Sequence, residues 1–585
     1  MRLGFLLCAS LLSAAPVFDL PGNVIPKKYT VDLRIDPSVE SFQGRIRIDV
    51  ELRKPTQEIW LEAKDITASE ASVNGETAGL NPDGEFLQVR LHSPAGPGRV
   101  SVSLRYEGKL DEKSVVGPYR KKVGGDWYVF TTFTPIDARR AFPCFDEPRF
   151  KAPWELTIHA PAGDKAFANG REVSDKPEAN GGHAIHFAET RPLPSEVVAF
   201  AVGPFDVFKG ANAGHGTPIR VITPRGLGDE ARAAAQATVD VLPRLEAYTG
   251  MPYRFGKLDH LALPEGAFGA VENPGLITYR QRGLLAAPDQ DTPEKIRAIR
   301  SVESHEIAHQ WFGDLVTQAD WDDVWLSEGF ATWLSAKIMD QFQPPARAHL
   351  AAVAARERIM AMDDSPRTRP VRVIMHNREE MKDVYSQIVY QKGAAILWMV
   401  EEWLGEAKMQ AGLRDYLKKH EFANATTADL ETSLGGAAGI DPAPVMDSFL
   451  NQTGIPVLQG EMHCDGQPRI EVRQTNEAHN WSIPVCWRGD GGSGCAVIDK
   501  PRAEIALKSC AAWFYLNSGA SGYYRTAWTA QQAPMLERAL PRLTAAERLL
   551  LAYDLRAAKV PAPDLISKLS SDPEPEIAKA ARDER

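Results

Sequence analysis

Apolar and polar positions alternate from Tyr29 onward: Tyr29, Val31, Leu33 and Ile35, then Ile46, Ile48, Val50 and Leu52. A period of two puts one set of side chains on a single face of an extended chain, so these runs predict half-buried strands. Similar short runs, punctuated by Gly, Pro and Asn, continue to about residue 208 and predict an all-β domain over 16–208. Near residue 227 the texture changes. In "GDEARAAAQATVDVLPRLEAYTG" the positions Val239, Leu242, Leu245 and Tyr248 recur at helical spacing and a glycine closes the segment. Helical segments then dominate 209–452. A short β-rich stretch follows over 453–535, marked by "PRIEVRQ", "SIPVCWR", "CAVID" and "EIALK". "LTAAERLLLAYDLRAAKV" predicts helix again, within a last segment, 536–585, that reads as a short or truncated helical domain. The expected class is multidomain α+β, without internal repeats, in a chain of 585 residues.

Composition narrows the function classes. Hydrophobic residues make up 44% and charged residues 25%, values of a globular chain with sizeable cores. A net charge of −10 and the lack of any basic run argue against nucleic-acid binding. The start, "MRLGFLLCASLLSAAP", has one Arg, an apolar run and then small residues, so 1–15 reads as a secretory signal peptide. Pro16 follows the expected cleavage point, and Leu7 before Cys8 does not suit lipid attachment. No other apolar run approaches the roughly 20 residues of a membrane helix. The expectation is a secreted or periplasmic protein without a transmembrane segment in its mature form, a cytoplasmic location being the alternative. Cys464, Cys486, Cys495 and Cys510 fall within fewer than fifty residues, whereas Cys144 stands alone in "AFPCFDEP". In an exported chain the cluster suggests two disulfides of unassigned pairing. A structural zinc competes but lacks a CxxC pair, and four buried thiols remain the bland reading.

The chemistry concentrates in "SHEIAHQWFGDLV", which holds His305-Glu306-x-x-His309. On a helix, positions i and i+4 share a face, so both imidazoles reach one metal ion, with Glu306 placed to address a metal-bound water. Eighteen residues separate His309 from Glu328 in "VWLSEGFATWLSAKI", where Phe330, Trp333, Leu334 and Ile338 keep helical spacing. Two His and one Glu leave a fourth tetrahedral position of Zn²⁺ for water, the pattern of a catalytic rather than a structural site.

Five stretches, "HEIAHQWFGDLV", "WLSEGFATW", "GAVENPGLITYR", "AFPCFDEPRFKAPWELTI" and "VYQKGAAIL", resemble the aminopeptidase N family of zinc metallopeptidases in order and spacing. The similarity runs from "LPGNVIPKKYTVDL" to the final helices. It implies an N-terminal β saddle or sandwich domain, a thermolysin-like catalytic domain, a small β-sandwich and the start of a C-terminal α-helical domain. It implies one Zn²⁺ per chain held by His305, His309 and Glu328, and hydrolysis of the N-terminal residue of peptides by a zinc-activated water. Glu306 would be the general base, and Tyr390 of "Tyr390-Gln-Lys-Gly393" would stabilise the oxyanion. Glu272 of "FGAVENPG", 33 residues before His305, would meet the free α-ammonium. Gly269 and Ala270 would offer backbone groups to the substrate, with Asn273 and Tyr385 also lining its site.

Two departures from the family pattern bear on the first specificity pocket. Thr134 stands in "TFTPIDARRAFPCFDEP" where a second amine-binding acid is usual, and Pro274 follows Asn273 where an aromatic residue is common. Asp314 and Asp323 are nearby acids for which capping is as natural a role as orienting the histidines, and His260 and His463 lack ligand spacing. A leukotriene-type epoxide hydrolase that is also an aminopeptidase would reuse the same zinc site. A non-catalytic peptide-binding scaffold would predict damaged ligands, and every ligand position here is intact.

Overall fold

The computed structural model describes residues 15–179, 181–342, 346–475 and 481–582. The expected leader over 1–15 therefore lies, apart from Ala15, outside the described residues. The mixed α+β architecture separates into two compact units. One runs to Pro204 and includes His376–Glu379; the other comprises Phe205–Met375 and Glu380–Arg585.

In the first unit the strands Val24–Arg34 and Ser41–Leu52 pair antiparallel. Their period-two apolar sets, including Tyr29, Val31, Leu33, Ile46, Ile48 and Val50, are buried. They occupy the middle of an eight-stranded sheet, accompanied by a four-stranded and a three-stranded sheet. Tyr29 stacks on Trp154 with ring centroids 3.8 Å apart, and its hydroxyl accepts from the Phe145 amide at 3.1 Å. Around "AFPCFDEP" the core is ionic. Arg139 Nε donates to Asp146 Oδ2 at 2.8 Å and its Nη2 donates to Glu62 Oε1 at 3.0 Å. Glu62 Oε2 accepts from the Asp146 amide at 2.6 Å, and Asp146 Oδ1 accepts from Ser195 Oγ at 2.6 Å. Cys144 is a buried free thiol beside this cluster, its pKa pushed well up by burial and by the nearby acids Asp146 and Glu62.

The second unit opens with a five-stranded sheet in the order Phe205–Lys209, Ile219–Pro224, Leu258–Leu263, Leu276–Arg280, Ala270–Val271. The strand Phe205–Lys209 pairs with Ile219–Pro224, so the residues just before 209 already belong to this sheet. Every residue of Leu258–Leu263 is buried, as suits a central strand covered on both faces. The helix Arg232–Thr249 ends at Gly250, whose φ of 69° is the left-handed C-terminal stop. Its buried face holds Ala234, Thr238, Val241, Leu242 and Leu245, while Val239 is only half-buried. Small alanines allow a closer approach than the larger apolar residues indicate, and Thr238 turns inward to meet Glu303 and His260.

Within 453–535 two small sheets form, one of four strands and one of three. Disulfides join Cys464 to Cys510 and Cys486 to Cys495, the second pair facing each other across adjacent strands. Helix Ala545–Ala557 starts at a reciprocal cap: Thr544 Oγ1 accepts from the Glu547 amide, and Glu547 Oε2 accepts from the Thr544 amide. Helices Pro563–Ser570 and Pro575–Arg582 follow. Among the described residues no helix is long and apolar enough to cross a membrane.

Candidate metal and substrate site

Thr292 caps the helix Pro293–Ala308 by accepting from the Lys295 amide at 3.2 Å, with proline at the first helical position. The last turn of this helix presents His305 and Glu306, and His309 follows as its C-cap. His305 Nε2 and His309 Nε2 lie 3.1 Å apart, and Glu328 Oε2 lies 3.4 Å from the first and 3.3 Å from the second. On the far side of its ring, His309 Nδ1 sits 3.2 Å from the Phe312 carbonyl and 2.9 Å from Ser327 Oγ. A carbonyl only accepts, so Nδ1 carries the proton and Nε2 turns a lone pair toward the cluster. Glu328 Oε2 is buried and meets no hydrogen-bond donor of the protein. Two imidazole nitrogens and a carboxylate oxygen thus converge on one point, an arrangement that favours a cation between them. Two imidazole nitrogens and one carboxylate oxygen match the donor set of a catalytic zinc ion, so these residues fit the metal.

Two glycines make the ligand geometry possible. Gly313 has φ +125°, and a Cβ there would stand 2.4 Å from Ser327 Oγ, displacing the group that orients His309. Gly329, beside Glu328, faces Gly393 so closely that a Cβ on it would lie 3.2 Å from the Gly393 backbone. This approach packs the helix Trp325–Asp340 against the π-helical turn Ile388–Lys392. Tyr390, in that turn, donates to Glu328 Oε1 at 2.8 Å and lies nearly parallel to the His305 ring, 14° between planes. Burial first, then Glu328, pushes the Tyr390 hydroxyl far above its ordinary pKa, so it stays a donor. Burial likewise drives the Glu306 carboxyl well above the usual range, with His309 opposing and Glu272 and Glu328 adding to the rise.

The loop bearing Glu272 is held from several sides. Ala270–Val271 is an edge strand, pairing among the described residues with Leu276–Arg280 alone, and the Gly269 carbonyl accepts from the Arg280 amide at 2.9 Å. Gly269 is exposed, and nothing within 4 Å would meet a Cβ there. Gln310, one residue past His309, donates its Nε2 to the Glu272 carbonyl at 2.6 Å. Lys257 Nζ donates to the Gly275 carbonyl at 2.5 Å, and Tyr253 accepts from the Gly275 amide at 3.1 Å. The Glu272 side chain ends 3.7 Å from His309 Nδ1, and ligand atoms of Glu272, Glu306 and His309 lie within 4.8 Å of one another.

The structure therefore gathers His305, His309, Glu328, Glu306, Glu272 and Tyr390 into one place. Tyr385 packs edge-on against Phe268, 5.8 Å between centroids, at the start of the "FGAVENPG" segment. Asn273 is buried, its amide turned inward to Thr278 Oγ1 at 3.3 Å. Asp323 accepts from Thr427 and Arg372 rather than from a histidine, and the buried Asp314 donates its amide to the His309 carbonyl. His260 is a core residue between Thr238 and Tyr279, and Thr134 is buried in the first unit, donating to the Glu196 carbonyl. Sequence reasoning missed Ser327, Gln310, Lys257 and Tyr253. Ser327 and Gln310 each adjoin a ligand in sequence, a usable signal; Lys257 and Tyr253 carry none.

Residues 233–449 match the peptidase family M1 domain and residues 25–197 match the peptidase M1 N-terminal domain. Aminopeptidase M1-A of Oryza sativa subsp. japonica is 30% identical over 563 residues, covering 90% of this chain and 63% of that protein. Glutamyl aminopeptidase of Sus scrofa is 31% identical over 554 residues, 87% of this chain and 57% of its own. Leucyl aminopeptidase of Saccharolobus solfataricus is 30% identical over 503 residues, 85% of this chain and 63% of its own. The chain thus spans less than two thirds of the length of these relatives.

Proposed function

We propose, since the chain belongs to the aminopeptidase N family of zinc metallopeptidases, peptidase family M1, that it removes the N-terminal residue from peptides in a zinc-dependent hydrolysis. The observation that carries this reading is the tie between the Glu272 loop and the metal-binding helix. Gln310 ties the Glu272 main-chain carbonyl, and the Glu272 carboxylate ends beside the ligands, 3.7 Å from His309 Nδ1, as an enzyme that measures from a free amine requires.

His305, His309 and Glu328 would hold the metal. When bound, Zn²⁺ supplies an acidified water and polarises a carbonyl. Glu306, buried and drawn toward its neutral form, takes a proton at its carboxylate and passes it to the departing amine. Tyr390 donates its hydroxyl proton where negative charge develops on the scissile carbonyl oxygen. Glu272 receives the substrate's α-ammonium, and the edge at Gly269 and Ala270 pairs with its backbone. Tyr385 and Phe268 wall the approach, and Asn273 acts by shaping the turn. The proposed domains are 16–208, 209–452, 453–535 and 536–585, with the strand Phe205–Lys209 at the first boundary pairing into the second unit's sheet. Export is proposed on the leader-like start together with two disulfides, which persist in oxidising compartments.

The test compares aminoacyl amides with free and with N-acetylated amines, before and after chelation. Cleavage confined to free amines, lost on chelation and restored by zinc, supports the proposal. Equal cleavage of blocked substrates contradicts it.

A further inference from the structure

Lys392 lies two residues beyond Tyr390, at the end of the π-helical turn, and is fully buried. Its ammonium is 2.8 Å from Asp363 Oδ2 and donates to the Gln452 carbonyl at 2.7 Å. Asp363 has no exposed side-chain surface either. It accepts from Tyr523 at 3.0 Å and from Thr368 at 3.2 Å. The Lys392 ammonium also lies 5.4 Å from the Tyr523 ring centroid and 5.9 Å from that of Trp481. One side chain thus joins the turn carrying Tyr390 to the end of helix Ala346–Asp363, to the chain after helix Ala443–Leu450, and to the β-rich region 453–535.

Stability alone is a poor reason for this arrangement. Removing an ammonium and a carboxylate from water is expensive, and well-packed apolar residues in such places are often as stable or more so. What charge adds is direction, because the ammonium is fixed by a carboxylate and a carbonyl at once. Direction matters here since a π-helical turn is rare, confined to single turns, and common at functional sites. At its start the Val389 amide donates to the Ser386 carbonyl at 2.9 Å, and the Tyr390 amide reaches the same oxygen at 3.5 Å.

We propose that Lys392 is a positioning residue for Tyr390: clamped between Asp363 and the Gln452 carbonyl, it fixes the π-helical turn and keeps the Tyr390 hydroxyl at Glu328. Through Asp363, Tyr523 becomes part of the same support, which makes the region 453–535 necessary to the site without touching it. The catalytic side of the proposal rests on the role given to Tyr390 above.

The first readout needs no activity. A crystal structure of Lys392→Met is expected to show the Tyr390–Glu328 contact, now 2.8 Å, opened beyond about 3.5 Å. A contact unchanged in that variant overturns the proposal whether or not the chain is a peptidase. The second readout is kinetic. Lys392→Met should lower kcat about 100-fold with KM and zinc content retained, and should add almost nothing in a Tyr390→Phe background. Equal losses in both backgrounds overturn it. Should Lys392→Met fail to fold, Tyr523→Phe keeps the ion pair and removes one donor to Asp363. It should give a smaller kcat loss that again vanishes with Tyr390→Phe, and a loss that persists there counts against the proposal. An inactive wild-type chain would contradict the functional reading alone.

Discussion

Each compact unit buries a cluster of charged side chains, and the two clusters are built on opposite terms. In the first unit both carboxylates are met: Arg139 reaches Glu62 and Asp146, and the remaining oxygens accept from the Asp146 amide and from Ser195. In the second, His305 Nε2, His309 Nε2 and Glu328 Oε2 converge within 3.1–3.4 Å of one another, and Glu328 Oε2 is buried without a hydrogen-bond donor. Both lie in stretches that resemble one family, so motif strength alone does not separate them. Hydrogen-bond satisfaction does. A cluster that neutralises itself builds the fold, and one that leaves lone pairs pointing at a common point is prepared for a cation.

Variants in each cluster should therefore fail differently. Glu306→Gln should lower kcat by about 10²–10⁴-fold with zinc content and melting unchanged, and retained activity would remove Glu306 from its role. Arg139→Met should destabilise the first unit by about 3–5 kcal/mol, read as an earlier denaturant transition, with normal turnover in molecules that remain folded. An unchanged transition would break the contrast between the clusters. Ser327→Ala removes the hydroxyl beside His309 Nδ1 and should weaken zinc affinity about 10–100-fold in a competition titration, with little change in melting. Tyr385→Phe keeps the ring against Phe268 and should change kcat/KM by only a few-fold, about 1 kcal/mol.

How much of this could be read from the chain follows from where the signal lies. Strands such as Ser41–Leu52 announce themselves because each alternate side chain is buried, and the ligand set does because helical spacing fixes which residues share a face. The helix Arg232–Thr249 was legible in extent, down to its glycine stop. Its buried face was less so, because alanines and Thr238 outweigh Val239 in a way that only tertiary packing decides. The disulfide pairing, the π-helical turn and the clamp on Lys392 were illegible for one physical reason. Each depends on residues far apart in sequence, such as Lys392, Asp363 and Tyr523, whose types are unremarkable until the fold brings them together. The strand Phe205–Lys209 shows the same limit, since its pairing partner and not its own pattern assigns it to the second sheet.

The most direct measurement is the zinc content of Glu272→Ala taken together with its KM for a free aminoacyl amide. If Glu272 is the amine anchor held beside an independent metal site, the variant keeps about one zinc per chain. Its KM should rise about 10–100-fold, the loss expected when a desolvated ammonium loses its carboxylate. Loss of zinc with KM unchanged in the metal-loaded remainder would contradict that role and make Glu272 a part of the metal site instead.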